Sequence, residues 1–448
     1  MLYLDILLFL NLFLAFKIFR NLIAPPVLVG AGMCGATVIA SFYSIEWGLN
    51  RMLPESILIL GGGPLLFTLL CFVLLHIGQG FSFPAVRKKL VSEEFDLYKL
   101  TKFYLFIDFF VAFLIVAKFL YMRSVFGGLP LAELIYATRI DNWAGDNLLK
   151  YPKFITYGVT FSLLTSYFTY YLLAALIVGK ESAKYKRLYY LLWVHVVLLV
   201  LNGFSGGDKG SGLEPIIRFV LMFLVIFYSY RRSFRLDAKI YVKILLAFLI
   251  MASFFKGLSE VLGRETDNYG NNTDMLAEYM GAEIKNFDIY MNHKDGNAKS
   301  KGFGDKTFNG LFQELNPKRE VSNGVFQRYK DYSLGNVYTQ YYYWHADFGL
   351  IGIVVLTIFV AIISMFFYKN GVLDTISKQR SLSPSLCIYL SMAFSLFMTF
   401  FSSKFTETVI VLNFLKLALY IFVFVYLFNR FFKLKNNGKK NMCFGLLP

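Results

Sequence analysis

The stretch that decides the fold is GNVYTQYYYWHADFGLIGIVVLTIFVAIISMFFY, residues 335–368, in which a polar, tyrosine-rich sequence runs directly into an apolar one. In the apolar part, residues 346–368, Asp347 is the one charged side chain, and the part is longer than the ~20 residues that cross a bilayer as a helix. We therefore predict a membrane helix that begins at a water-facing surface, with a polar segment directly before it.

The composition indicates an integral membrane protein. Of its 448 residues, 57% are hydrophobic and 19% aromatic, and the mean hydropathy is +0.54, too apolar for an ordinary soluble protein. By the length criterion we predict an all-α polytopic membrane protein with about eleven transmembrane helices. The predicted spans are residues 2–19, 25–45, 56–77, 103–122, 154–179, 188–202, 213–230, 240–258, 346–368, 384–401 and 409–428.

Lysine and arginine cluster in every second short loop, so the net charge of +16 is interpreted as a topology signal, and no nucleic-acid partner is expected. By the positive-inside rule the basic loops and the C-terminus face the cytoplasm, and an odd number of spans leaves the N-terminus outside. The outward loops are then residues 46–55, 123–153, 203–212, 262–345 and 402–407.

Residues 262–345 form one long polar insert. It divides the chain into a first bundle of about eight spans (1–261), the insert, and a second bundle of about three spans (346–448) with a basic tail. Apolar residues recur at helical spacing from Met275 to Met291, which predicts an amphipathic helix that lies on the membrane or roofs a cavity. A protein that only lets solutes pass seldom needs such an insert, so we expect chemistry at the membrane surface.

The outward loop GFSGGDKGSGLEPIIR, residues 203–218, has two features of anion recognition. Its glycines let backbone amides approach a phosphate, and the following helix N-terminus adds a favourable dipole. Lys209 at the tip and Arg218 inside the helix supply positive charge. The alternative is that this loop is a mobile turn in which Lys209 is simply solvated. Arg218 lies within a predicted span and therefore needs a polar cavity or a partner.

Further ionisable residues lie within the predicted spans. Asp108 and Lys118 are ten positions apart on one predicted helix, so they share a face without touching directly. For His195, in the middle of an apolar helix, we expect a packed, hydrogen-bonded side chain rather than a ligand.

The end of the insert gathers polar groups of the kind that bind sugars. These groups are the amide, hydroxyl, imidazole and carboxylate side chains of Asn336, Tyr338, Thr339, His345 and Asp347. Asp347 or His345 could act as a general base toward a sugar hydroxyl. The alternative is a polar interfacial belt rich in Tyr and Trp.

Several enzyme classes are not supported by the sequence. The four cysteines, Cys34, Cys71, Cys387 and Cys443, lie in or beside apolar segments and predict neither a disulfide framework nor a metal site. The chain has four His and no H-E-x-x-H pattern, Walker motif or dinucleotide fingerprint. We therefore expect no metal and no cofactor.

Three patches resemble the bacterial oligosaccharide repeat unit polymerases, the O-antigen polymerases of the Wzy type. GNVYTQYYYWHADFGLIG (335–352) is similar to the family's Asn-Val-Tyr-Thr stretch, Tyr-rich turn and Asp-Phe-Gly before a span. AEYMGAEIKNFDIYM (277–291) and FGDKTFNGLFQEL (303–315) resemble the helix and Thr-Phe segment of the family's large periplasmic loop. SGGDKGSGLEPIIR (205–218) resembles its Gly-Arg loop, with Lys209 where an Arg is usual. The resemblance covers roughly the second half of the chain, and the outward loops lack the Arg-x10-Gly motif of some members.

The resemblance implies a metal-independent membrane glycosyltransferase of GT-C-like architecture in the bacterial inner membrane, with the insert and the N-terminus in the periplasm. It implies that a growing glycan on undecaprenyl diphosphate is transferred to one new lipid-linked repeat unit, giving O-antigen, capsule or exopolysaccharide. The implied partners are the lipid-linked donor and acceptor, membrane lipid and a chain-length regulator protein.

The resemblance also implies roles for single residues. Lys209, Arg218 and Arg264 would bind the diphosphate, and Asp347 or His345 would act as the base, with Arg218 counted as catalytic. The residues that would bind sugar are Asn336, Tyr338, Thr339 and Tyr343.

Three alternatives remain open at this point. A lipid-linked oligosaccharide flippase or other transporter is another polytopic class with buried charges. An O-antigen ligase uses the same donor with a lipid A core acceptor. A scaffolding membrane protein explains the spans but leaves Arg218 without a reason.

Overall fold

The computed structural model shows a helical bundle with one short hairpin. It describes most of the chain, including large parts of the insert. The described residues are 1–77, 82, 95–144, 148–207, 209–237, 239–240, 242, 246, 277–293, 302–316, 319, 325–378 and 382–433.

Fifteen α-helices are found among the described residues. In chain order they are α1 Leu2–Phe19, α2 Pro25–Phe42, α3 Pro54–His76, α4 Leu97–Phe126, α5 Leu131–Ala144, α6 Lys153–Val178, α7 Lys186–Phe204, α8 Lys209–Arg231, α9 Ala282–His293, α10 Asn309–Leu315, α11 Gln340–Phe367, α12 Asp374–Lys378, α13 Pro384–Phe397, α14 Lys404–Thr408 and α15 Leu412–Phe432. A π-helical turn, Tyr368–Leu373, joins α11 to α12.

Nine helices of the described residues are long and apolar enough to cross a membrane, which confirms an all-α polytopic membrane protein. They correspond to nine of the predicted spans. The predicted span 384–401 is the shorter helix α13 followed by the 3-10 turn Met398–Phe400, and the predicted span 240–258 lies almost wholly outside the described residues. The total of eleven therefore stays a prediction.

Local signals in the sequence set several helix starts. Pro25, Pro54 and Pro384 each stand at the first turn of a helix, where a missing N–H costs nothing. The side chain of Ser383 accepts a hydrogen bond from the Leu386 amide at 3.2 Å, and Asp96 caps α4 in the same way.

Two elements differ from the sequence prediction. Helix α11 begins at Gln340, six residues before the predicted start at 346, because four aromatic side chains of its first turns, Tyr341–Trp344, are buried in the bundle. Tyr341 fits there because α3 carries Gly63, where a Cβ would lie 2.5 Å from the tyrosine ring. Helix α5 lies within residues 123–153, which were predicted only as an outward loop.

The described parts of the insert are folded onto the bundle. Helix α9 buries Ile284, Phe287 and Met291 and packs against the ends of α2 and α3, so the predicted amphipathic helix is a packed element of the bundle. Its predicted first residues, Met275 and Leu276, lie outside the described residues. A hairpin follows, with strand β1 Gln327–Tyr329 antiparallel to strand β2 Tyr332–Gly335.

Polar side chains inside the bundle form bonds between helices. His195 of α7 is fully buried, and its Nδ1 lies 2.9 Å from Asp108 Oδ1 of α4. Its Nε2 lies 3.0 Å from Thr165 Oγ1 of α6. The structure thus gives His195 the packed, hydrogen-bonded environment predicted from the sequence, and this network ties three helices together.

Glu283 of α9 carries a buried carboxyl group. Its side chain is fully buried, and neither carboxylate oxygen has a hydrogen-bond partner within the described part of the chain. Burial therefore raises the pKa of the Glu283 carboxyl well above its usual value. The unfolded chain ionises this group near pH 4.3, whereas the folded chain keeps it neutral to a higher pH, so folding stability falls as the pH rises through that window.

We predict that Glu283→Gln raises the thermal unfolding midpoint at pH 8 by about 2 °C or more and changes it little at pH 4, because Gln carries no charge to desolvate. Midpoints of the detergent-solubilised protein at both pH values measure this. The exposed Glu133→Gln serves as the control. A Glu283→Gln effect that is equal at both pH values would contradict the assignment.

Candidate functional site

Asp347, in the first turns of α11, holds the insert against the membrane helix. Its carboxylate accepts hydrogen bonds from the backbone N–H of Lys306 at 3.1 Å and of Thr307 at 2.6 Å. The Thr307 hydroxyl also donates to the Tyr343 carbonyl oxygen at 3.2 Å. The predicted base is therefore engaged as an acceptor for two amides, which is an anchoring role.

Lys306 is a buried cation in this junction that the sequence analysis did not single out. Its Nζ donates to the Tyr342 hydroxyl at 3.1 Å and lies 5.2 Å from the centre of that ring. Burial lowers the pKa of the Lys306 amine, and the nearby Asp347 charge opposes the shift. Lys306 lies inside one of the patches that resemble the polymerases, but nothing in its spacing shows that it meets Tyr342.

His345 is positioned by a tyrosine of the insert. Tyr290 of α9 places its hydroxyl 2.8 Å from His345 Nδ1. Burial, with a smaller contribution from the Asp347 charge, raises the pKa of Tyr290 to about 12, so the hydroxyl keeps its proton at neutral pH. Tyr290 thus fixes the orientation of the His345 imidazole.

The predicted sugar-binding residues lie mostly inside the protein. Tyr338, Thr339 and Tyr343 are buried, at 1%, 0% and 9% exposure, whereas Asn336 is half-buried. The Tyr338 hydroxyl donates to the Val325 carbonyl oxygen at 2.9 Å, and its ring stacks on Tyr342 with centroids 4.0 Å apart. Of these four, Asn336 is the most accessible to a ligand in this conformation.

A lysine of another helix, α4, lies against the Gly-rich loop between α7 and α8. Lys118 of α4 is 9% exposed, and its Nζ donates to the Ser205 hydroxyl at 2.6 Å. The Ser205 hydroxyl donates in turn to the Asn202 carbonyl oxygen at 2.6 Å. The Lys118 amine also lies 5.6 Å from the centre of the Tyr151 ring. Among the residues that the structure describes, which do not include Asp208 of this loop, no carboxylate pairs with Lys118.

Helix α5 packs directly against this loop at Gly207. Gly207 has a φ of 75° and packs so closely that a Cβ there would lie 2.9 Å from both the Arg139 Cβ and the Ile135 carbonyl oxygen. The close approach explains the need for glycine at this position. Helix α8 begins at Lys209, but the side chain of Lys209 and the whole of Arg264 lie outside the described residues.

Arg218 has a partner in its own helix. Its guanidinium forms an ion pair with Glu214, one turn earlier in α8, and lies 5.9 Å from the centre of the Tyr167 ring. The side chain is 6% exposed, and its Nε has no hydrogen-bond partner among the described residues. The buried charge predicted from the sequence is thus compensated locally.

Helix α13 lies between the Arg218 region and the insert junction. Its Ser391 hydroxyl is 2.5 Å from the Tyr167 hydroxyl, whose ring faces Arg218. One turn further along, Ser395 bonds Thr408 of α14 at 2.7 Å. The Trp344 indole of α11 donates to the hydroxyl of Ser403, directly before α14, at 2.9 Å. The Arg218 region and the insert junction are therefore connected through shared helices.

The described side chains offer no candidate metal site. Over the described ranges, no group of three or more His, Cys, Asp and Glu side chains could hold a metal ion. Cys34, Cys71 and Cys387 are buried free thiols. The chemistry available in these ranges is therefore that of amines, an imidazole, hydroxyls and carboxylates.

We predict that Asp347→Ala increases the rate of tryptic cleavage after Lys306 about tenfold, because two charge-assisted hydrogen bonds that hold this segment are lost. Asp347→Asn keeps one acceptor oxygen and should give a smaller increase. The exposed Asp331→Ala is the control, and cleavage is followed by mass spectrometry. Unchanged cleavage in Asp347→Ala would show that the carboxylate does not anchor the insert.

Comparison with known proteins gives no match: no family model, no curated protein and no solved structure matches this chain. The resemblance to the repeat unit polymerases therefore rests on the three sequence patches. A functional assignment must rest on the residues and contacts described above.

Proposed function

We propose that this protein polymerises undecaprenyl-diphosphate-linked oligosaccharide repeat units by transfer of whole glycan blocks at the outer face of the bacterial inner membrane. The observation that carries the proposal is the buried amine of Lys118, which donates to Ser205 of the Gly-rich loop and pairs with no carboxylate of the described residues. A buried amine without a carboxylate is costly unless an anionic ligand completes the site. A lipid diphosphate at the membrane surface is an anion of suitable chemistry.

The reaction needs a cation on the leaving group. The acceptor hydroxyl attacks the anomeric carbon of the donor sugar, a glycosidic bond forms, and the bond from that carbon to the diphosphate oxygen breaks. The electron pair leaves with undecaprenyl diphosphate, and the acceptor proton passes to a base. Lys118 and the N-terminus of α8 would stabilise the charge that develops on the diphosphate.

Other cations would complete the diphosphate site. We keep Lys209 and Arg264 as proposed ligands, since both lie in segments that the charge pattern directs outward. Arg218 would act more indirectly, because its ion pair with Glu214 already satisfies most of its charge. The sequence analysis predicts a diphosphate site at Arg218. The site proposed here is centred on Lys118 instead.

The acceptor side of the reaction would lie at the insert junction. We favour His345 over Asp347 as the base, because Tyr290 orients the imidazole whereas both Asp347 oxygens accept backbone amides. Asn336 would contact the acceptor sugar, with the buried tyrosines Tyr338 and Tyr343 supporting the surface from behind. A chain-length regulator protein would act on the same complex.

We predict that Lys118→Met abolishes long glycan chains, because loss of one charge-stabilising donor lowers such rates by about 100-fold or more. Methionine keeps the apolar stem and removes the amine. The test complements a deletion strain with wild type, Lys118→Met, Lys118→Arg or the control Lys102→Met, an exposed lysine near the other end of α4, at equal membrane levels.

The glycan ladder of each strain distinguishes the outcomes. Wild type and Lys102→Met should restore long chains, Lys118→Arg should restore some, and Lys118→Met should leave single capped repeat units. Wild-type ladders from Lys118→Met would refute the proposed site. Loss of all surface glycan in the deletion strain, with repeat units retained on lipid at the cytoplasmic face, would indicate a flippase instead.

A further inference from the structure

A second cationic cluster lies at the opposite end of the bundle, where α1 and α8 end. Lys17, Arg20 and Arg235 line one cavity of about 650 Å³. All three side chains are exposed, and within the described ranges none of them forms an ion pair. The acidic residue nearest to Arg235 in the sequence, Asp237, forms an ion pair with Arg231 at 2.8 Å. Among the described residues, the cavity therefore presents three positive charges without a compensating carboxylate.

The backbone fixes the position of these charges. Arg20 ends α1 with a left-handed φ of 56°, and its N–H donates to the Phe16 carbonyl oxygen at 2.8 Å. Leu22 then donates its N–H to the Tyr228 hydroxyl of α8 at 3.4 Å, which joins the turn after α1 to the end of α8. The two segments that carry the cations are thus held together by contacts within the bundle.

Apart from Ser233, the rest of the lining is apolar and continues into the outward surface of α1. Phe16, Phe234 and Leu236 also line the cavity. On α1, the outward side chains Phe9 and Phe13 are 50% and 62% exposed, as expected for a helix that faces acyl chains. A ligand that fits this cavity has an anionic head and an apolar tail.

We propose that this cavity binds the phosphate headgroup of an anionic phospholipid, with the acyl chains lying along α1. Basic pockets between helices at the cytoplasmic surface bind such headgroups, and the charge pattern assigns this end of the bundle to the cytoplasm. A free phosphate ion would use the cations but would leave the apolar lining without a role. The proposal is independent of the glycan chemistry proposed for the other face.

The test is a lipid titration of the detergent-solubilised protein by native mass spectrometry, with phosphatidylglycerol and, as reference, phosphatidylcholine. The variant Lys17→Gln/Arg20→Gln/Arg235→Gln removes the three charges of the cavity. The variant Lys184→Gln/Lys186→Gln/Arg187→Gln removes three exposed charges from the loop after α6 and the first turn of α7, a segment with the same predicted orientation. A third arm titrates inorganic phosphate against protein with bound phosphatidylglycerol.

The cavity variant should lose phosphatidylglycerol affinity by roughly 10- to 100-fold, and the loop variant by less than about twofold. Equal losses in both variants would show diffuse surface attraction and overturn the site, as would no loss in either. Displacement of the lipid by inorganic phosphate at submillimolar concentration would overturn the lipid assignment and indicate a free-phosphate site.

Discussion

The cost of leaving a polar group unpaired inside an apolar bundle governs this structure. Asp108, His195 and Thr165 are hydrogen-bonded across three helices, and Arg218 is paired with Glu214 within one. Lys118 differs from these residues, because within the described part of the chain its amine meets a hydroxyl and an aromatic ring but no carboxylate. A buried amine that meets no carboxylate is where an anionic ligand is expected, and we propose that the diphosphate binds beside Lys118.

The described parts of the insert are held against the membrane helices at the start of α11. One carboxylate, two backbone amides and a histidine–tyrosine bond achieve this at the start of α11. The arrangement explains why a polar, tyrosine-rich sequence runs without a break into an apolar helix. Rigid elements of the bundle then orient the imidazole, which a mobile loop could not do.

The spans could be predicted because length, hydropathy and alternating basic loops are local signals. The early start of α11 could not, since it depends on Tyr341 meeting Gly63 of a distant helix. Glu214 lies four residues before Arg218, and this spacing by itself predicts an ion pair on one face of a helix. The contacts of Lys118 with Ser205 and of Lys306 with Tyr342 join residues far apart in the chain, and no spacing rule could reveal them.

The most direct test of the account is reconstitution of the purified protein in proteoliposomes with a lipid-linked repeat unit of the host strain. The account predicts glycans of several repeat units and one undecaprenyl diphosphate released for each new glycosidic bond, with neither product formed by Lys118→Met. Repeat units that stay single while crossing the bilayer would contradict it and identify a transporter.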